Sequence, residues 1–148
     1  MTDKRTAVWI NKLLEETSKL DETGIDILHA CGAECSKASQ LLKGAKKINA
    51  MHQYESDDDK IFEAFKAEYY NKPTFTKIGN KITLIFDECT CPMVESGVTN
   101  SYLCNCTVGY TINIFETLFG KPVKVKLLES ILQGDSICKQ EIYLNSKR

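Results

Sequence analysis

The apolar residues of this 148-residue chain change their spacing about halfway along it. In the first half they recur every three or four positions, which is the spacing of amphipathic helices. After about residue 75 they alternate with polar residues, which predicts strands with one buried face. The pattern therefore predicts an α+β fold, with N-terminal helices packed on an antiparallel sheet made of two hairpins with one helix between them.

The helical half divides into several segments. A helix is predicted from about residue 6 to residue 20, because its apolar residues fall at helical spacing, namely Trp9, Ile10, Leu13, Leu14 and Leu20. A second helix is expected to begin at Asp21 and to break at Gly32, because glycine disfavours helix interiors. A further helix is expected in "DDDKIFEAFKAEYY", where Ser56 or Asp57 can cap the start and the acidic residues suit the positive end of a helix dipole. Its expected buried stripe consists of Ile61, Phe62, Phe65 and Tyr69.

The second half contains two candidate hairpins. "FTKIGNKITLIFDE" alternates around the Gly79-Asn80 pair, which favours a tight turn between two strands. "VKVKLLESIL" and "ICKQEIYL" are expected to pair around "QGDS". Between the hairpins, "TVGYTINIFETLFGK" has helical spacing and is expected to end at Gly120.

Composition limits the classes of function. Hydrophobic residues make up 43% and charged residues 26% of the chain, which is typical of a single globular domain spanning 1–148. A formal net charge of −1 supplies no basic field for nucleic acid. No apolar run approaches the roughly 18 residues of a membrane span, and the charged N-terminus does not resemble a signal peptide. We therefore expect a cytoplasmic protein with no nucleic-acid or membrane partner.

Four of the seven cysteines lie in "CTCPMVESGVTNSYLCNC", between Cys89 and Cys106. A disulfide framework is not expected, because the cytoplasm is reducing and the number of cysteines is odd. Metal binding, redox or covalent chemistry, and simple burial all remain open. If the following helix begins near Thr107, its dipole should lower the pKa of Cys104 and Cys106. We expect these two thiols to meet Cys89 or Cys91 at one end of the sheet.

Two further cysteines, Cys31 and Cys35, lie four positions apart in the helical half. On a continuous helix that spacing places them on one face. They could form a second metal or redox site, or they could be two thiols buried in a helix interface. The two histidines, His29 and His52, are expected to be structural or solvated.

A carboxylate in the last hairpin is predicted to point inward. Leu127 and Glu129 share a face because a strand has a period of two, and the apolar neighbours on that face mark it as the core side. A four-residue turn at "QGDS" would pair Ile131 with Cys138 and place Cys138 on the same face as Glu129. The lengths of the helix and the strand place Glu129 level with Cys106. The alternative is that Glu129 lies at a solvated rim.

The stretch "CNCTVGYTINIFETLFGKPVKVKLLESILQGDSICKQEI" resembles the 4-vinyl reductase domain superfamily. The shared elements are a cysteine before a helix, a Val-rich strand ending at a glutamate, a Gly-Asp turn, and a cysteine before an alternating strand. The "CGAEC" and "CTCP" elements are similar to those of bacterial proteins near the L-2-amino-thiazoline-4-carboxylic acid hydrolase-like group. The resemblance implies a small-molecule-binding or sensing domain whose fold is related to that of Golgi-transport proteins and haem-based NO sensors.

The resemblance also implies a zinc site. Cys106, Glu129 and Cys138 match three ligand positions of the sensor members, and the fourth ligand would come from Cys89, Cys91 or Cys104. We expect a small, partly apolar ligand in a pocket lined by aromatic side chains, namely Phe62, Phe65, Tyr69, Phe115 and Phe119. The alternative is a thiol- or metal-dependent hydrolase acting on a small heterocyclic amide. Sensing would require a separate partner or a homo-oligomer.

Overall fold

The computed structural model describes residues 4–54, 57–88 and 91–144, and it confirms the α+β class. Six α-helical segments and four strands are described in this part of the chain. The helices are α1 (Lys4–Thr17), α2 (Asp21–Ser36), α3 (Gln40–Met51), α4 (Asp58–Tyr69), the short α5 (Pro92–Glu95) and α6 (Cys104–Phe119). The strands are β1 (Thr76–Ile78), β2 (Lys81–Phe86), β3 (Val123–Glu129) and β4 (Cys138–Leu144).

The predicted break at Gly32 is wrong, because α2 runs through this residue without interruption. The chain bends later, at residues 37–39, and α3 begins after Ser39, whose side chain accepts a hydrogen bond from the Leu41 N–H. Gly32 is needed for a different reason. A Cβ atom at this position would lie 1.8 Å from the carbonyl oxygen of Cys106 in α6. The glycine therefore permits a close crossing of two helices.

The four strands form one antiparallel sheet in the order β1-β2-β4-β3. The first hairpin has its turn at Gly79, where φ is 62°, as the Gly-Asn pair predicts. All four predicted strands are therefore present, and α6 lies between the two hairpins in the chain, as expected.

The predicted turn of the second hairpin is wrong. Residues 130–137 connect β3 to β4 through a 3-10 turn at Ile131–Gln133, and the Asp135 side chain accepts a hydrogen bond from the Ser130 N–H. A bulge then shifts the register, so that Glu129 pairs with Lys139. Cys138 pairs with Phe86 on the β2 side of β4, and on the β3 side it is not the register partner of Ile131. The longer, self-bonded loop is the physical reason for the change of register.

Two groups of buried side chains hold the fold together. The main core lies between the sheet and helices α3, α4 and α6, and it is rich in aromatic rings. Its buried members are Leu42, Ala45, Ile48, Ile61, Phe62, Phe65, Phe75, Ile82, Leu84, Ile114, Phe115, Leu118, Phe119, Ile142 and Leu144. The second core is smaller and joins α1, α2 and the segment before α6. Its buried members are Ala7, Leu14, Leu28, Val98 and Leu103.

Only some of the apolar residues at helical spacing in α1 are buried. Leu14 is buried in the second core, but Trp9 is 66% exposed and Leu13 is 49% exposed. The helix buries a neighbouring stripe, which contains Ala7 and Thr17, against α2 and the segment before α6. No described helix is long and apolar enough to cross a membrane.

Candidate functional site

The most extensive contact between helices joins α2 and α6, and glycines make it possible. The Cβ atom missing from Gly32 would collide with the Cys106 carbonyl oxygen, and one at Gly109 would lie 2.4 Å from the His29 Cα. The two backbones therefore touch at both points. Because Cys31 precedes Gly32 directly and Cys35 follows one turn later, this crossing places both cysteines beside Cys106.

Four cysteines from three segments form a group at this crossing. The side chain of Cys106 interacts electrostatically with Cys35, Cys31 and Cys91. Cys91 and Cys106 are half-buried and pack against the second core, whereas Cys31 and Cys35 are exposed on α2. We call Cys31, Cys35, Cys91 and Cys106 the four-thiol group. Cys89, which the sequence also suggested, lies outside the described residues.

The pKa of Cys106 is shifted in the direction opposite to the predicted one. Burial raises the pKa of Cys106 to about 11, and electrostatic interaction with Cys35, Cys31 and Cys91 adds to the effect. The helix dipole was expected to lower it. However, helical turns already begin at Ser101, after the side chain of Asn100 has accepted a hydrogen bond from the Tyr102 N–H. Cys106 therefore lies beyond the first turn, where the unpaired N–H groups that stabilise a thiolate are absent.

Cys104 faces away from the four-thiol group. Two positions along an α-helix turn the side-chain direction by about 200°, so the two thiols of this Cys-x-Cys pair diverge. The Cys104 thiol forms a hydrogen bond of 2.9 Å with the hydroxyl of Ser130, which is buried directly after β3. The expectation that Cys104 and Cys106 come together is therefore not met.

The other two predicted metal ligands lie at the ends of β3 and β4. The Cys138 sulfur accepts a hydrogen bond of 3.3 Å from the Ile131 N–H, and Glu129 is half-buried opposite Lys139. Within residues 4–54, 57–88 and 91–144, no three His, Cys, Asp or Glu side chains are close enough to hold one ion as they stand. The zinc set implied by the resemblance is thus not assembled among these residues. Binding of zinc itself stays a prediction.

The five aromatic side chains expected around a ligand lie in the main core. Phe65 contacts the rings of Tyr69 and Phe115, and Phe115 also contacts Phe119. Phe62 is 1% exposed and packs on Phe75. Neither of the two clefts described below is lined by any of these five residues. The structure therefore assigns them to packing, where they fill the space beneath the sheet.

The larger cleft, of about 320 Å³, lies beside Cys104. Leu127 of β3 and Tyr102 contribute its apolar surface. The remaining described side chains that line it are polar and uncharged, namely Ser18, Asn100, Ser101, Asn105 and Gln133. A second cleft, of about 250 Å³, lies between α2 and α6 and includes His29 and Glu116.

Gln140 is a buried polar residue that the sequence reasoning missed. Its side chain is fully buried, and neither its amide nitrogen nor its amide oxygen has a hydrogen-bond partner among the described residues. In the sheet it lies directly opposite Leu127, so the two side chains are on the same face. The alternation of β4 could have revealed it, since Gln140 occupies an inward position between Cys138 and Ile142.

A model of a family of unknown function, DUF6144, matches residues 2–148, which is almost the whole chain. No curated protein matches the sequence. Two sites of the described structure are therefore the candidates for a function: the four-thiol group at the α2–α6 crossing, and the cleft beside Cys104.

Proposed function

We propose that this chain, which belongs to the DUF6144 family, is a small-molecule-binding domain with its ligand in the cleft beside Cys104. The observation that carries this proposal is the unpartnered amide of Gln140, opposite the cleft residue Leu127. A buried polar group without a partner lowers the stability of the fold by about 1–3 kcal/mol, so its presence needs an explanation. A ligand that hydrogen-bonds to the amide supplies one.

The lining of the cleft indicates the chemical class of the ligand. Its volume lies at the lower end of the roughly 300–1,000 Å³ that ligand pockets usually occupy, which suits a small metabolite. The described lining offers hydroxyl and amide groups, one leucine, one tyrosine ring and no charged side chain. A neutral molecule with hydrogen-bonding groups and one apolar edge therefore fits best. Contact with Gln140 requires the half-buried side chain of Leu127 to move aside.

The resemblance to the 4-vinyl reductase superfamily supports the same class of function, because members of that superfamily bind small molecules inside cells. In this proposal the chain acts in the cytoplasm and reports ligand binding to a separate partner or to a second copy. The ligand contacts helical turns and β3 together, so binding can alter the packing between α6 and the sheet.

The alternative function, a thiol-dependent hydrolase of a small heterocyclic amide, would use Cys104, whose sulfur lines the cleft. A thiol nucleophile needs a neighbouring base or a strongly stabilised thiolate. The described residues that line the cleft include no His, Asp, Glu or Lys. Binding without turnover is therefore the better account of this site.

The test is a screen of neutral fragments of metabolite size, followed by amide chemical shifts of the labelled protein. Binding in this cleft should shift the signals of Tyr102, Cys104 and Asn105, and Gln140→Leu should weaken the hits by about tenfold or more, which corresponds to one hydrogen bond of about 1.4 kcal/mol. Asn113→Ala, in the second cleft, is the matched control. Shifts confined to the second cleft would refute the proposal. Turnover of a heterocyclic amide that disappears in Cys104→Ala would favour the hydrolase instead.

A further inference from the structure

The four-thiol group is distinct from the proposed ligand cleft, and the proposed function does not explain why these thiols lie together. Cys104 lines the cleft, whereas Cys106 points to the other side of α6, toward α2. The tertiary fold brings together thiols that are separated by up to 75 positions in the sequence, from α2, from the residue before α5, and from α6.

Burial as small hydrophobic side chains does not explain this group. Cys31 and Cys35 were expected either to form a site or to be buried in a helix interface, and both are exposed. Exposed thiols contribute nothing to a core, and exposed cysteines are unusual because they oxidise readily. The two exposed thiols lie instead on α2 beside the crossing with α6, and the two half-buried thiols pack against the second core next to it.

We propose that Cys31, Cys35, Cys91 and Cys106 together bind one thiophilic divalent cation, of which Zn²⁺ is the natural probe. The ion would be held by sulfur ligands in tetrahedral geometry, with sulfur–zinc bonds near 2.3 Å. This ligand set differs from the one implied by the resemblance, and the two sets share only Cys91 and Cys106. It does not depend on the proposed function of the cleft.

The geometry favours a site that closes on the ion. Cys31 and Cys35 are one helical turn apart, so their Cβ atoms are about 5–6 Å from each other, and the Gly32 crossing holds Cys106 beside them. Because no three of these side chains are close enough to hold an ion as they stand, the two exposed thiols must rotate inward. Rotation of an exposed side chain between staggered rotamers costs little.

Proton release accompanies binding. Each thiol gives its proton to solvent as its sulfur forms a bond to the cation, because the thiolate is the ligand. Zinc affinity should therefore increase as the pH is raised from 6 to 8.

The experiment uses the full chain, purified under reducing conditions and stripped of metal. Zinc is added and the unbound ion removed by dialysis, after which elemental analysis should give one zinc per chain. Cobalt substitution should give the visible absorption of a tetrahedral thiolate complex. Cys35→Ser and Cys106→Ser should each weaken zinc binding by roughly 100-fold, because a lost ligand costs at least as much as a lost outer-sphere partner. Cys104→Ser and Cys138→Ser are the matched controls.

The controls separate this proposal from the site that the sequence suggested. Retention of zinc in both control variants, with loss in the two variants of the four-thiol group, supports the proposal. Equal loss in Cys104→Ser or Cys138→Ser would overturn it in favour of a site near β3 and β4. Failure of the wild-type chain to retain zinc would also overturn it. Because Cys35 is exposed, Cys35→Ser should leave the metal-free fold intact, as judged by circular dichroism. Neither result bears on the fragment screen of the cleft.

Discussion

The main core and the second core differ in size and in the types of side chain that they contain. The main core contains fifteen buried apolar residues and a continuous set of ring contacts that runs from Phe62 through Phe75 to Phe119. The second core has five buried residues, and half-buried cysteines and a tyrosine pack at its edge. The main core therefore contributes more to the stability of the fold, whereas the second core has half-buried thiols at its edge.

The second core also has exposed apolar side chains beside it. On the outside of α1, next to this core, Val8, Trp9 and Leu13 are exposed. Regions with few buried contacts open at lower free energy than well-packed cores. The four-thiol group thus lies where side chains can move, and the sheet behind it stays rigid.

The largest effect is expected in the main core. Phe65→Ala removes a ring that is 1% exposed and should lower the free energy of unfolding by about 3–5 kcal/mol. Leu14→Ala, in the second core, should cost about 2–3 kcal/mol, since fewer neighbours surround the cavity and they can collapse into it. Urea denaturation measures both values. Equal losses would mean that the two cores are equally rigid, which would contradict the comparison.

The next effect concerns the crossing that connects the cores. Gly32→Ala places a Cβ against a backbone carbonyl of α6, so the helices must separate, and the protein should lose about 1–3 kcal/mol of stability together with zinc binding. Gly44→Ala is the matched control. The three atoms nearest to its Cβ would be ring atoms of Tyr69, the closest at 2.6 Å, and a half-buried side chain yields more easily than a helix backbone. A control variant that is as damaged as Gly32→Ala would refute the argument from backbone contact.

Gln140 tests whether a polar group in the sheet is retained for function. Gln140→Leu keeps a similar volume and removes two unpartnered polar atoms, so thermal and urea unfolding should show a gain of about 1–2 kcal/mol. Gln133→Leu is the control, because Gln133 is exposed in the loop that connects β3 to β4, and this change should alter stability little. A clear loss of stability in Gln140→Leu would show that the amide has a partner in solution and would remove the main support for a ligand there.

The smallest effect is a pH dependence of the metal-free protein. The pKa of Cys106 is raised in the folded state from 9.0 to about 11, so the unfolded chain loses this proton first as the pH rises. The contribution to stability is complete below pH 9 and is lost as the pH increases toward 11. After allowance for solvent screening of this half-buried group, the loss should be about 1 kcal/mol. Cys106→Ala should lack this part of the alkaline decline, and identical profiles would contradict the assigned pKa.

Local patterns in the sequence were sufficient for the elements of the main core. The alternation of β2, the Gly79 turn and the stripe of α4 predicted the observed strand, hairpin and helix, because each depends on neighbours within a few positions. Asp57 caps α4 through its side chain, as the acidic run suggested. Burial of an apolar face is a local property of a helix or strand, so the α+β class followed from periodicity alone.

The thiol sites depended on contacts that no local pattern contains. Gly32 suggested a helix break because glycine disfavours helix interiors. The contact that explains this glycine, with the carbonyl of Cys106, lies 74 positions away in the sequence and is invisible to a local pattern. The start of α6 at Cys104 instead of Thr107 decided that the two thiols of its Cys-x-Cys pair diverge. Likewise, the hydrogen bonds between Ser130 and Asp135 close a loop in which Cys138 is not the strand-register partner of Ile131, although its sulfur accepts a hydrogen bond from the Ile131 N–H. Such choices are settled by the balance of packing and hydrogen bonding over the whole chain, which is why they appeared only in the folded structure.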